Sequence, residues 1–378
     1  MGIDHLNAMW HQYNIALPLD AIVVGAGIVG AACARELALA GLSVAVCEAS
    51  GIIGGGATAA GMGHLAVMDD SEAQFALTSY SQSLWAALAP QLPADAEYLP
   101  CGAMWIAADA DEMAEVHRKF AYYSGRGIVV EVLDPQQLAE AEPNLRPGMA
   151  GALRMPADSV CYPPCAARYL LEGIPVFLNT RIVAVSDAGV ELADGSAISA
   201  GRIILATGTA ITELIPTAPV FPRKGDLLIT DRYPGWLNHQ LIELGYLKSA
   251  HSVGVDSVAF NVQPRATGQI LIGSSRLAGS GTLLPRMLER AIGYMPGLAG
   301  LSGIRTWSGF RAATPDKLPL IGRCTGFDRV FMATGHEGLG ISTSLATGRL
   351  LADEILGRDS EIPRDPYRPD RRFHADPH

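Results

Sequence analysis

Three glycines and one acid set the first chemical expectation. Gly25, Gly27 and Gly30 stand at GxGxxG spacing within AIVVGAGIVGAACARELALAGLSVAVCE, residues 21–48, and Glu48 closes that run. The pattern suits a dinucleotide pyrophosphate. Gly25 permits the tight turn, Gly27 removes the side chain that would hold the backbone away from phosphate, and Gly30 lets a helix pack closely on a strand. A carboxylate at the position of Glu48 accepts hydrogen bonds from an adenosine ribose hydroxyl and disfavours a 2′-phosphate, which leaves NAD or FAD rather than NADP.

These residues need a strand, a helix and a second strand to position them. Ala21–Val24 is short, apolar and rich in β-branched residues, as a strand buried on both faces requires. The helix expected from Ile28 to Ala40 aims its unpaired N–H groups and positive dipole end at the pyrophosphate. Gly41 ends it, and Ser43–Cys47 reads as the second strand. The loop GIIGGGATAAGMGHL, residues 51–65, has little bulk between Gly54 and Gly61 and reads as backbone pressed against a flat ligand.

Beyond it, helical spacing covers 71–92, 108–127, 134–140 and 283–292, and 98–107 reads as a hairpin. Turn signals at Asp187–Gly189 and Asp194–Gly195 mark an antiparallel excursion that returns to a buried parallel strand at Ile203–Ala206. Strands are expected near 226–230, 257–263 and 269–273. The end mirrors the beginning, with a strand at Val330–Ala333, a glycine-rich turn over Thr334–Gly340 and a helix over Ile341–Ile355. Nucleotide-binding elements therefore lie at both ends, interrupted by β-rich segments. The division expected is an arm at 1–19, a discontinuous nucleotide domain at 20–75, 150–220 and 320–358, a substrate domain at 76–149 and 221–319, and an extended surface tail at 359–378. This interleaving favours FAD over a nicotinamide cofactor, whose sheet is normally completed in one block.

The whole chain narrows the classes further. Its 378 residues are 49% hydrophobic and 17% charged, a composition that builds substantial cores. The net charge of −10 argues against nucleic acid or an anionic membrane as a general partner. No apolar run reaches the ~20 residues of a transmembrane helix, and residues 1–19 lack the basic and apolar regions of a secretory signal. Cytoplasm is the default location, where six scattered cysteines stay thiols. Cys161 and Cys165, in CYPPC, are the only close pair, and no second pair or histidine cluster accompanies them, so no metal is expected.

Four separated segments carry a resemblance. GAGIVG with Glu48, GGGATAAGMG, ILATG at 204–208, and WSGFRAATPDKLPLIG (307–322) followed by MATGHEGLGIS (332–342) resemble the D-amino-acid oxidase superfamily of flavoenzymes, in particular its glycine oxidase and sarcosine oxidase branch. The fold implied is α/β: a Rossmann-type, glutathione-reductase-like FAD-binding domain with an interleaved α+β substrate domain on a mainly antiparallel sheet. The resemblance places FAD against Gly25, Gly27, Ile28, Val29, Gly30 and Glu48, then Thr58, Gly61 and Met62. It places the adenosine side near Thr207 and Gly208, with the backbone at Val183 meeting adenine. The turn Gly335, Gly338, Leu339, Gly340 and Ile341 would face the flavin pyrimidine, where a helix N-terminus stabilises the negative charge of the reduced ring. FAD is expected to be noncovalent, since no cysteine falls in or just before WSGFR.

Arg311 matches the arginine that pairs with substrate carboxylate in such enzymes, and is expected there as a catalytic residue that also borders the FAD, although Ala312 replaces the proline that usually follows. A planar guanidinium grips a carboxylate through two parallel hydrogen bonds and so orients the neighbouring carbon. The alternative for Arg311 is an ion pair with Asp316. His64 and His336 flank the expected flavin, as catalytic contacts or as hydrogen-bonding walls. Glu337 would form a polar rim or meet a substrate amine, and Tyr246, His251, Arg265 and Trp307 are candidates for the pocket lining.

The reaction implied is oxidation of an amino acid's Cα–N bond by hydride transfer to flavin, with no strong protein base required. The GHEGLGI turn and the tail sequence DPYRPDRRF resemble β subunits of multicomponent dehydrogenases for D-hydroxyproline, L-proline and opines, and of hydrogen cyanide synthase. The leading expectation is a catalytic β subunit of a D-hydroxyproline-type dehydrogenase, with partner subunits carrying FMN or iron–sulfur centres and FMN at an interface with one of them. The alternatives are a self-sufficient glycine, sarcosine or D-amino-acid oxidase using O2, an opine oxidase or hydrogen cyanide synthase subunit, a noncatalytic FAD-bound assembly subunit, and an NAD-dependent dehydrogenase.

Overall fold

The computed structural model describes residues 19–245, 256–277, 279 and 281–373. The expected N-terminal arm therefore lies outside the described residues except at its last position. In chain order the strands are β1 (Leu19–Val24), β2 (Val44–Cys47), β3 (His64–Leu65), β4 (Ala103–Ala107), β5 (Glu131–Leu133), β6 (Gly151–Met155), β7 (Ser159–Val160), β8 (Val176–Phe177) and β9 (Ile182–Ser186). They continue as β10 (Gly189–Leu192), β11 (Ala197–Leu205), β12 (Phe221–Arg232), β13 (Gln240–Glu243), β14 (Ser257–Pro264), β15 (Gln269–Arg276), β16 (Gly303–Ala313), β17 (Leu320–Arg323) and β18 (Val330–Thr334). The helices are α1 (Ile28–Leu39), α2 (Glu72–Leu88), α3 (Ala110–Ser124), α4 (Pro135–Ala141), α5 (Pro163–Leu170), α6 (Ile211–Leu214), α7 (Leu284–Tyr294) and α8 (Gly340–Ile355).

The first sheet runs β17-β18-β11-β1-β2-β8. β1 sits between β11 and β2, parallel to both, so its Ala-Ile-Val-Val run is buried on two faces. On one face pack α1, α2, α5 and α8; the other face is closed by β9, β10 and the 211–220 segment. α8 approaches α1 closely, because a Cβ at Gly348 would lie 2.6 Å from the Ala32 carbonyl oxygen. The β9–β10–β11 meander matches the expected antiparallel excursion.

The second sheet runs β16-β12-β15-β14-β13-β4-β6-β5 and is antiparallel apart from the β13–β4 pair. One of its faces buries Met104, Ile106, Leu241, Phe260 and Val262 against α4 and α7. The opposite face turns toward the first sheet, with its far end covered by α3.

Three expectations change. Residues 98–107 are not a hairpin: only β4 forms, and it pairs with β6 and β13, because Gly102 and the tertiary edge of β6 supply partners that no local turn does. The domain boundary at 150 moves, since β6 belongs to the second sheet, and α2, placed with the substrate domain, packs on α8 instead. The described part of the tail, residues 359–373, is an anchored segment. Tyr367 is buried and donates to the Ala73 carbonyl at 2.6 Å, and Arg371 grips Asp316 through bonds of 2.7 and 2.8 Å.

Among the described residues no helix is long and apolar enough to cross a membrane, and no group of three or more His, Cys, Asp or Glu side chains is placed to hold a metal ion.

Candidate active site

The carboxyl ends of β1, β2, β11 and β18 open onto a cavity of 470 Å³ that extends to the second sheet. Gly25 takes φ +107°, and a Cβ there would strike the Ala206 carbonyl oxygen at 2.5 Å, so the β1–α1 turn and the Ala206–Gly208 turn meet backbone to backbone. At Gly30 a Cβ would lie 2.0 Å from the Gly25 oxygen, which presses α1 onto the turn. The Glu48 carboxylate accepts from the Ala26 and Ser50 N–H groups, each at 2.8 Å, and thereby stands at the end of β2. Thr58 reaches back from the glycine-rich loop and accepts from the Ile28 N–H at 3.0 Å, tying that loop to the start of α1.

Most of the expected cofactor residues come together. Gly25, Gly27, Ile28, Val29 and Glu48 line the cavity; so do Thr58, Gly61, Met62, Thr207 and Gly208, and from the last turn Gly335, Gly338, Leu339, Gly340 and Ile341. Gly30 lies beneath the turn rather than on the wall. Val183 is 43% exposed and lies off the wall, which Thr180, Arg181 and Ile182 supply in its place. The physical reason is strand alternation: Ile182 is buried where Val183 points outward. A backbone cradle, a ribose-height carboxylate and the N-terminal ends of α1 and α8 on one cavity fit FAD.

Arg311 lines the same cavity from β16. Its position is tightly set: one guanidinium nitrogen donates to the Ser275 carbonyl at 2.8 Å, a Cβ at Gly225 would fall 2.5 Å from that nitrogen, and one at Gly338 would fall 3.1 Å from the side chain's Cδ. Two glycines, on β12 and in the turn before α8, form the slot it occupies. The alternative pairing with Asp316 does not occur, because both Asp316 oxygens are taken by Arg371.

The neighbouring polar groups are committed elsewhere. Glu337 lines the cavity, yet its carboxylate pairs with Arg223 at 2.7 Å, both side chains under a tenth exposed, so a role in meeting the substrate amine is replaced by an internal ion pair. His336 is buried with Nε2 3.1 Å from the Thr347 hydroxyl, and burial pushes its imidazole down to about 3. His64 also lines the cavity, and burial pushes it down to about 4. Both rings are neutral walls at physiological pH.

Two lining candidates move away. Arg265 donates to Glu97 and to the Cys161 carbonyl, and Trp307 donates to the Ala59 carbonyl at 3.2 Å while stacking under Arg305; neither faces the cavity. Each is held by groups distant in sequence, which local spacing does not reveal. Tyr246 and His251 lie outside the described residues. The wall on the second sheet instead presents Trp105, Gln240, Ile242, Asn261 and Arg276, none of which sequence reasoning selected. A signal was present in FNVQ of β14, where Asn261 and Gln263 alternate with apolar Phe260 and Val262; such alternation ordinarily marks a solvent face.

Comparison with known proteins agrees with this geometry. A glycine oxidase of Pseudomonas aeruginosa is 29% identical over 93% of this chain and 99% of its own length. A D-amino acid dehydrogenase of Neisseria meningitidis is 27% identical over 78% of this chain and 73% of its own. Among solved structures, glycine oxidase from Geobacillus kaustophilus superposes with a TM-score of 0.84 at 24% identity, covering 94% of this chain and 99% of that one. L-proline dehydrogenase from P. horikoshii superposes at 0.81 and 23% identity, over 93% and 96% of the two chains. Both structures share the fold. The sequence profile of the DAO family, FAD dependent oxidoreductase, matches residues 20–354, the span that begins at β1 and ends in α8 around this cavity, and the chain is a member of that family and an oxidoreductase.

Proposed function

We propose that this chain oxidises the Cα–N bond of an amino acid, with Arg311 holding the substrate carboxylate. The observation that carries the reading is the slot of Gly225, Gly338 and the Ser275 carbonyl, which presents a guanidinium to the cavity in one orientation. Fixing a guanidinium beforehand lowers the entropy lost on gripping a carboxylate and sets which substrate carbon faces the cofactor. When bound, FAD supplies the hydride acceptor that such an oxidation needs. Of the chain's own residues around the site, His64 and His336 stay uncharged, and Glu337 pairs with Arg223.

The substrate is small or cyclic, with D-hydroxyproline first among those to test, and the chain acts as the catalytic β subunit of a dehydrogenase whose partners carry FMN or iron–sulfur centres. The GHEGLGI turn and the docked DPYRPDRRF tail support this reading. A stand-alone oxidase is the second reading, favoured by full-length similarity to a glycine oxidase. FAD is held noncovalently, so acid precipitation releases it from the protein.

Anaerobic reduction of the protein-bound flavin by D-hydroxyproline, D-proline, L-proline, sarcosine and glycine, followed by admission of O2, tests the scheme. Fast substrate reduction with slow peroxide formation is expected; rapid peroxide production sinks the subunit reading and favours the oxidase. Losing two charge-assisted hydrogen bonds costs ~3 kcal/mol, so Arg311→Ala lowers kcat/KM about 100-fold, mainly through KM. An unchanged KM removes Arg311 as the clamp.

A further inference from the structure

The second-sheet wall of the cavity carries three buried side chains with polar atoms that have no hydrogen-bond partner among the described residues. Trp105 is 2% exposed, Gln240 1% and Asn261 9%; among the described residues the indole Nε1, both amide atoms of Gln240 and the Asn261 Oδ1 are all without a hydrogen bond. All three line the cavity. They come from adjacent strands on one face. Ile242 of β13 stands opposite Trp105 of β4 on one side and opposite Asn261 of β14 on the other, and Gln240 precedes Ile242 by the two residues that return to the same face. Asn261 in turn stands opposite Gly273, whose missing side chain leaves room for the Met62 sulfur of the glycine-rich loop. The row therefore abuts the cofactor cradle.

A structural wall has no reason to be built this way. Each buried polar group left unpaired costs about 1–3 kcal/mol, and the opposite face of the same strands avoids that cost with Met104, Leu241, Phe260 and Val262. Nor are these groups spare members of an internal network. Gln263, the next inward residue on β14, donates through Nε2 to the Met62 carbonyl and leaves only its Oε1 unpaired, whereas the whole side-chain amide of Gln240 and the Asn261 Oδ1 have no hydrogen bond among the described residues.

From this juxtaposition we infer that the substrate bears, beyond its α-carbon, an uncharged group that both donates and accepts hydrogen bonds, a hydroxyl or a carboxamide, read by Gln240 and Asn261 and covered by Trp105. The unpaired set contains donors (Trp105 Nε1, Gln240 Nε2) and acceptors (Gln240 Oε1, Asn261 Oδ1) together, which matches a group of mixed character. A second carboxylate would meet two acceptor oxygens, and an unsubstituted glycine or alanine would leave all four atoms unpaired. The charged side chains Arg276 and Asp70 also line the cavity, so the binding test includes a substrate analogue with a charged substituent. The inference rests on the reading that Arg311 takes the α-carboxylate.

Amino acids without a hydrogen on Cα cannot be oxidised there, so they separate binding from turnover. Calorimetric titration of the FAD-loaded protein with racemic α-methylserine, α-aminoisobutyrate and α-methylaspartate is the test. α-Methylserine is expected to bind about tenfold more tightly than α-aminoisobutyrate, and α-methylaspartate more weakly than either. Gln240→Met and Asn261→Leu, made separately and checked for retained flavin absorbance, each bring the α-methylserine to α-aminoisobutyrate ratio to within about threefold. A wild-type ratio near one, tighter binding of α-methylaspartate, or variants that keep the preference overturn the inference. Loss of α-aminoisobutyrate binding in Arg311→Ala shows that the clamp reading stands independently; if no amino acid binds the wild-type protein, both fall together.

Discussion

At the scale of single residues, burial decides what the cavity's ionisable groups do. His336 and His64 were recognisable in sequence as neighbours of glycine-rich turns, but their charge state was not, because it depends on what covers them. His336 is pushed down to about 3 by burial, while an unfolded histidine titrates near 6.5. Between those values the unfolded chain binds a proton that the folded chain does not. Its contribution to stability is therefore complete above the unfolded value and is lost as pH falls below it. His336→Gln should flatten the acid limb of a urea-unfolding stability curve, removing ~2 kcal/mol of the loss between about pH 6.5 and 5. An acid limb as steep as the wild type's would mean that His336 titrates normally in the folded protein. Arg311 makes the complementary point. Its residue type and surrounding motif were legible, but the glycine slot that orients it draws on β12, β15 and the turn before α8, far apart in the chain.

At the scale of elements, the β1–α1–β2 unit was readable because its determinants are local. Strand hydrophobicity, glycine spacing and the terminal acid all fall within 28 consecutive residues, and the observed bounds Leu19–Val24, Ile28–Leu39 and Val44–Cys47 differ from those expected by one or two positions. The close fit of α1 makes a sharp prediction. A valine at position 30 would drive its Cβ toward the Gly25 carbonyl, 2.0 Å away in the present backbone, and overpacking of this kind costs ~1–3 kcal/mol or more. Gly30→Val should purify with about a tenth or less of the wild-type flavin content, read as the ratio of visible to ultraviolet absorbance. Normal flavin loading would show that α1 can shift without disturbing the cradle. The elements that were missed have non-local causes. β6 and β13 are short, and each becomes a strand by pairing with partners distant in the chain, β6 with β4 and β13 with β4 and β14. β16 carries the WSGFRAA motif as an edge strand, paired on one side with β12 along most of its length.

At the scale of the whole molecule, the tail fastens a segment that leads out of the site. Arg371 grips Asp316 bidentately and also donates to the Leu318 and Pro319 carbonyls, fastening the segment that joins β16, with Arg311, to β17. Removing one member of such a largely buried, charge-assisted pair leaves the other uncompensated, at a cost of about 2–3 kcal/mol. Arg371→Ala should lower the urea-unfolding free energy by that amount; a loss under about 0.5 kcal/mol would place the contact among ordinary surface pairs. Sequence by itself determined the dinucleotide cradle, the interleaved order of the segments and the family, because glycine spacing, strand hydrophobicity and a terminal acid act over a few residues. Only the tertiary structure decided which polar groups face the substrate. Trp105, Gln240 and Asn261 lie on three strands separated by up to 156 positions, and whether an alternating polar residue faces solvent or a cavity depends on what packs opposite its sheet, which no local pattern encodes.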